Sequence, residues 1–192
     1  MSSAQSTPQP EVHEYQAEMQ KLLDILVHSL YTEREIFLRE LLSNSADALS
    51  KVQFLALTSA DQLLNPDASL QIELSFDEDK QTITIEDTGC GMTREELIEN
   101  LGTIASSGTL KFLREAQQSK QAVQNLIGQF GVGFYAVFMV ADKVELTTRS
   151  WRPDSQAWSW NSSGSGQYVL APASKEERGT KIVLHLSLIH IS

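Results

Sequence analysis

A single cysteine, Cys90, stands in the 192 residues of this chain. That excludes an intrachain disulfide and any multi-cysteine zinc site, and it fits a reducing compartment. Basic residues are also few: 15 Lys and Arg against 25 Asp and Glu, a formal net charge of −10. Nucleic acid is therefore disfavoured as a partner, because its binding rests on Lys and Arg neutralising phosphates. The same field repels any polyphosphate, which must then be held by local backbone dipoles or a metal ion. Apolar runs fall short of the roughly 18 residues that cross a bilayer, so no membrane partner is expected. There is no GxxxxGK[ST], which removes the P-loop, and no internal repeat. The opening MSSAQSTPQP has neither the basic start nor the apolar core of a signal peptide. Residues 1–10 read as the disordered tail of a cytoplasmic protein.

What remains has the size of one domain, at about 100–200 residues per domain. It is 41% hydrophobic and 21% charged, ordinary values for a globular protein. Met19, Leu22, Leu23, Leu26, Val27 and Leu30 recur at helical spacing, predicting a helix from Glu14 to about Leu30. Thr32 before Glu33 and Glu35 predicts the cap of a second helix reaching about Leu57. Leu70, Ile72, Leu74 and Phe76 alternate with polar residues, a half-buried strand that returns over Thr82–Asp87. A short helix is expected from Glu95 to about Leu101, a helical piece near Leu110–Ala116 and an apolar helix over Phe134–Ala141. Strands follow at about 143–149, 156–161, 167–170 and 180–186. This order predicts an α+β two-layer sandwich: a mixed, mostly antiparallel sheet with helices on one face.

Four groups of residues bear on chemistry. Glu40, Asn44, Asp47 and Lys51 form a narrow polar stripe on a helix that is otherwise apolar nearly all round, with Ala48 flanking it. The stripe reads either as a solvated face or as a cavity wall. In DTGCGMT (87–93), Asp87 shares its strand phase with Ile83 and Ile85 and so points toward the core. A carboxylate there needs a donor or a pocket. Gly89 and Gly91 allow close backbone approach. In GQFGVGFY (128–135) a glycine-rich loop runs into a helix start, where free N–H groups converge on anions. Thr180 shares its phase with Ile182, Leu184 and Leu186, so its hydroxyl also faces inward. Seven of the ten glycines lie between residues 89 and 133; a chain needing only turns would scatter them. Together these features predict a nucleotide pocket. In it Asp87 accepts from an exocyclic amine, glycine backbones hold phosphates, Asn44 offers Mg2+ a hard oxygen, and Glu40 orients a water.

EREIFLRELLSNSADAL (33–49), IEDTGCGMTREELIENLGTIASSGT (85–109), IGQFGVGFYAVFMVADKV (127–144) and RGTKIVLHL (178–186) occur in that order. Over residues 11–186 the chain closely resembles the N-terminal ATP-binding domain of the heat-shock protein 90 chaperones, their bacterial branch above all. The resemblance implies the GHKL-type ATPase fold, shared with type II topoisomerases, sensor histidine kinases and mismatch-repair ATPases, with ATP between helices and sheet. It implies Glu40 as the carboxylate that activates water, Asn44 as the Mg2+ ligand, and Asp87 as the acceptor of the adenine amine, with Thr180 in the surrounding water network. It further implies Gly91, Met92 and Asn100 at base and sugar, Gly131, Val132, Gly133 and Phe134 at the phosphates, and Asp47, Ala48 and Lys51 in the pocket wall. Residues of about 102–128 resemble a lid that closes over ATP. The implied partners are ATP or ADP, unfolded client proteins, and a second copy through a C-terminal domain that these residues do not include. An arginine to the γ-phosphate would come from a middle domain, so this chain by itself is expected to bind ATP and turn it over slowly. The alternatives are a nucleotide-gated binding module that does not hydrolyse, or the ATPase domain of another member of the fold.

Three departures stand out. Ser106 replaces a lid Lys or Arg. Cys90 replaces an Ile or Val, introducing a thiol open to oxidation or alkylation. Residues 187–192 end in SLIHIS, unlike the polar, acidic continuation of the family, and are set aside as foreign to the fold.

Overall fold

A computed structural model describes residues 9–15, 35–102 and 133–187. Among these residues seven strands form one sheet in the order β1-β6-β5-β4-β7-β3-β2. They are β1 Glu11–Glu14, β2 Ile72–Asp77, β3 Thr82–Asp87, β4 Ala141–Arg149, β5 Trp158–Ser162, β6 Gln167–Pro172 and β7 Gly179–Leu186. Every pairing among the described strands is antiparallel. The long helix α1 (Ile36–Thr58) and a 3-10 helix (Gly133–Met139) pack on one another and on the sheet. A short helix α2 (Arg94–Leu97) runs on into a π-helical turn, Ile98–Gly102. The fold is thus an α+β sandwich.

Period-two patterning places the core. Val144, Leu146 and Thr148 of β4, Trp158 and Trp160 of β5, Tyr168 and Leu170 of β6, and Ile182 and Leu184 of β7 all turn one way and are buried. Ile36, Phe37 and Leu41 of α1 and Phe134–Val137 meet them from the helix side. Phe134 stands edge-on to Trp160, ring centroids 5.6 Å apart, a favoured aromatic geometry.

Several elements differ from expectation. β1 was unforeseen, and Glu14, read as a helix start, is its last residue. The strand carries little apolar signal, since Val12 is 66% exposed. It is held instead by its ladder to β6, by Arg94 on Glu11, by His13 stacked on Tyr168, and by Tyr15 donating to Ser162 at 2.9 Å. The expected helix beyond residue 15 and the Thr32 cap lie outside the described residues. α1 is described from Ile36, and its N-cap, Glu35, makes no side-chain capping bond. Leu74 and Phe76 alternate as expected, yet both are exposed; among the described residues β2 is a terminal strand, with a neighbour on one side only. The apolar segment after Gly133 is 3-10 rather than α-helical. The lid region from residue 103 and the piece near Leu110–Ala116 lie outside the described residues. Ser187, set aside with the tail, is buried and donates its amide to Val140 at 2.9 Å, one backbone bond beyond the end of β7.

Candidate functional site

The polar stripe of α1 faces the end of β3 across a cavity of about 590 Å3, within the range of small-molecule sites. Asn44, Asp47, Ala48 and Lys51 line it from α1, Gly91, Met92 and Asn100 from the segment after β3, and Asp87, Thr180 and Phe134 from below and behind. Both readings of the stripe hold in part: Asn44, Asp47 and Lys51 line the cavity mouth while staying exposed, and Glu40 lies outside the lining. The lining carries four carboxylates, Asp47, Asp87, Glu96 and Glu99, against one lysine. Such a hollow suits a base and sugar rather than phosphates.

Asp87 is 4% exposed. One carboxylate oxygen accepts from the Gly89 amide at 2.8 Å and the other from the Ser45 hydroxyl at 3.1 Å. Burial nevertheless raises its pKa above the ordinary carboxylate value, outweighing the donors Gly89, Ser45 and the Thr180 amide. Ser45 was missed by sequence reasoning. It falls four residues after Leu41, on the buried face of α1, and a serine in an apolar stripe was the available signal.

Glycines shape the loop. Cys90 donates its amide to Ala48 at 3.2 Å and accepts from Trp151 at 2.8 Å, which presses the DTGCG backbone onto α1. A Cβ on Gly91 (φ +55) would overlap the Arg149 carbonyl, and one on Gly179 (φ +112) the Asp87 carbonyl. Both positions need the left-handed region and the missing side chain. Gly179→Ala is expected to cost about 2–3 kcal/mol in urea unfolding, from strain plus displacement of backbone. Gly166→Ala, with φ +92 but nothing within 4 Å of its Cβ, is expected to cost about 1 kcal/mol, from strain alone. Equal losses would refute the clash. Burial also pushes the Cys90 thiol up, so it stays protonated and a poor nucleophile at neutral pH.

Thr93 opens α2 with a capping box: Glu96 donates its amide to the Thr93 hydroxyl, and its carboxylate accepts from the Thr93 amide. The T-x-x-E pattern is the sequence signature of this cap. It fixes the turn that carries Met92 and Asn100, whose side-chain amide approaches the Met92 sulfur at 3.8 Å. Glu40 does not line the cavity. It stands one turn before Asn44, packed so tightly on Gly133 that a Cβ there would overlap its carboxylate, with Arg39 3.7 Å away. Ser106, Gly131 and Val132 lie outside the described residues. Among the described residues no group of three His, Cys, Asp or Glu side chains is placed to hold a metal.

A long helix and a glycine-bent strand end, closing on a buried aspartate over an antiparallel sheet, define a class of nucleotide-dependent ATPase domain. Residues 31–182 match the histidine kinase-, DNA gyrase B- and HSP90-like ATPase family, and the chain belongs to it. Within that family it is similar to the chaperone protein HtpG of Chlorobium phaeobacteroides, 55% identical over 177 residues, which are 92% of this chain and 28% of that protein. It is 52% identical to the chaperone protein HtpG of Desulfitobacterium hafniense over 93% of this chain and 29% of that protein. For Myxococcus xanthus HtpG the figures are 48%, 96% and 28%. The chain thus spans under a third of the length of these relatives.

Proposed function

We propose that this chain is the ATP-binding and ATP-hydrolysing domain of a cytoplasmic molecular chaperone of the HtpG type. The observation that carries the reading is Asp87: a buried carboxylate at the floor of a cavity large enough for a nucleoside, already holding Gly89 and Ser45, with acceptor capacity left over for a ligand amine. A buried acceptor of this kind is costly unless something fills it. Thr180 stands beside it, and Gly91, Met92 and Asn100 flank the base and sugar. Asp47, Ala48 and Lys51 form the wall. Gly131–Phe134 would meet the phosphates through main-chain amides, which do not depend on side-chain charge, and Ser106 would lie in the lid. In a longer protein, closure over ATP would drive dimer clamping around partly folded clients.

Mg2+ fits this site through one side chain. Asn44 lines the cavity with a hard amide oxygen, and Mg2+ ordinarily takes few protein ligands, completing its shell with phosphate and water oxygens. When bound it would neutralise phosphate charge that this acidic chain otherwise repels.

The test is calorimetric titration of the chain with ATP, with and without Mg2+. Tight binding that needs the metal is expected. Asn44→Ala should weaken binding about tenfold in Mg2+ and little in its absence. Equal loss in both conditions would remove Asn44 from the metal site, and no ATP binding at all would overturn the reading.

A further inference from the structure

Thr148 is the last inward residue of the β4 row and is fully buried. It does not line the cavity; it lies one strand behind, paired directly with Thr180. Its hydroxyl oxygen has three partners. The Met92 amide donates to it at 3.0 Å, the Gly179 carbonyl lies at 3.1 Å, and Thr180 Oγ1 lies at 3.0 Å.

A hydroxyl carries one proton and two lone pairs, so these three bonds can be satisfied in one way. The Met92 N–H only donates, and one Thr148 lone pair takes it. The Gly179 carbonyl only accepts, and it receives the single Thr148 proton. The remaining lone pair must then accept the proton of Thr180. Thr180 has therefore committed its proton away from the cavity and lines it with lone pairs alone. Asp87, across the other ladder from Thr180, is likewise acceptor-only when ionised. Among the described residues the floor thus offers two neighbouring acceptors and no free hydroxyl donor, the Ser45 proton being held by Asp87.

We infer that Thr148 is a positioning residue that locks Thr180 as an acceptor, and that this lock makes the floor select a purine bearing an amino group over its oxo counterpart. The inference rests on the ATP reading above and adds to it the origin of base selectivity. An amino group brings two protons to these two acceptors; the oxo counterpart brings only the single ring N1–H, so its oxygen finds no donor and is left facing a desolvated acceptor.

The test compares binding of ATP and inosine triphosphate by calorimetry. In Thr148→Val the Thr180 proton is released and can turn to the oxo group. The preference for ATP is expected to fall about five- to tenfold, the worth of one hydrogen bond. Thr148→Ser, which keeps the hydroxyl, is expected to retain the preference. Adding Thr148→Val to Thr180→Val is expected to change it no further, because the group acted upon has gone. An unchanged preference in Thr148→Val, or an equal fall in the Thr180→Val background, overturns the proposal and leaves Thr148 a packing residue. An unaltered chain that binds no ATP overturns the parent reading as well, whereas ATP binding with unchanged preference overturns this proposal alone. Should Thr148→Val not fold, proton NMR of the unaltered chain decides. A slowly exchanging Thr180 hydroxyl proton close to Thr148 is expected, and a rapidly exchanging one overturns the assignment.

Discussion

Asp87→Asn is expected to lower ATP affinity about 100-fold or more while the chain stays folded. A hydrogen bond to a charged partner is worth about 1.5–3 kcal/mol, and each 1.4 kcal/mol is about tenfold in affinity. The amide adds a second loss. Its oxygen must stay on the Gly89 amide, which can only donate. Its NH2 then replaces the oxygen that Ser45 reaches, and the serine hydroxyl turns to accept. A donor now faces the ligand amine. Titration calorimetry reads the loss, and circular dichroism the retained fold; affinity equal to the unaltered chain would refute the role.

The pH dependence follows from the same residue. Burial raises the Asp87 pKa in the folded chain above its unfolded value. Between the two values the native state holds more protons than the unfolded one, so this group's contribution to stability falls as pH rises through that window. ATP affinity runs the other way. It requires the ionised form, so it declines as pH falls through the raised pKa. Asp87→Asn should remove both trends. Melting temperatures and affinities taken across that window check the two signs, and an Asp87→Asn chain whose stability kept the same pH dependence as the unaltered chain would contradict the burial effect.

Asp87 and Thr180 could be placed from the sequence because strand periodicity fixes the direction of a side chain without reference to any other strand. The stripe on α1 was equally visible, but periodicity could not say whether solvent or a cavity lay beyond it. That depended on β3 ending opposite Asn44 and Asp47. Thr148 had the same inward phase as Thr180. Its importance comes from the β4–β7 register that sets the two hydroxyls side by side, and register is a property of two segments more than thirty residues apart. β1 was hidden for a different reason. Its residues are polar, and the strand exists through a ladder, an ion pair and a ring stack made with distant partners. Ser187 was set aside because the ending looked foreign, yet backbone bonding takes no account of origin. Close backbone approach at Gly91 is legible in the sequence, whereas Gly179 carries no such signal, and the atoms the two avoid, carbonyls of Arg149 and Asp87, needed the fold.

Glu40→Ala is expected to leave ATP affinity within about twofold and to slow hydrolysis by about 10²–10⁴, the range for removal of a general base. Glu40 lies outside the cavity lining, one helical turn from Asn44 on the side of Gly133. It therefore contributes little to holding base or sugar, and on the ATP reading proposed above it would face the phosphate end of the nucleotide. Its side chain is 15% exposed, enough to reach a water. Turnover by this chain is expected to be slow, so single-turnover measurements with excess protein and labelled ATP are the suitable readout. Gly133→Ala offers an independent approach to the same carboxylate, since the new methyl would occupy its place. If Glu40 acts by orienting water, Gly133→Ala must slow hydrolysis in the parent chain once both are fully loaded with ATP, so that any loss of phosphate binding is removed, and add nothing to the rate of the fully loaded Glu40→Ala chain. A Glu40→Ala chain that hydrolyses ATP at the parent rate would remove Glu40 from the chemistry, and the site would then be a nucleotide-gated switch that binds without cutting.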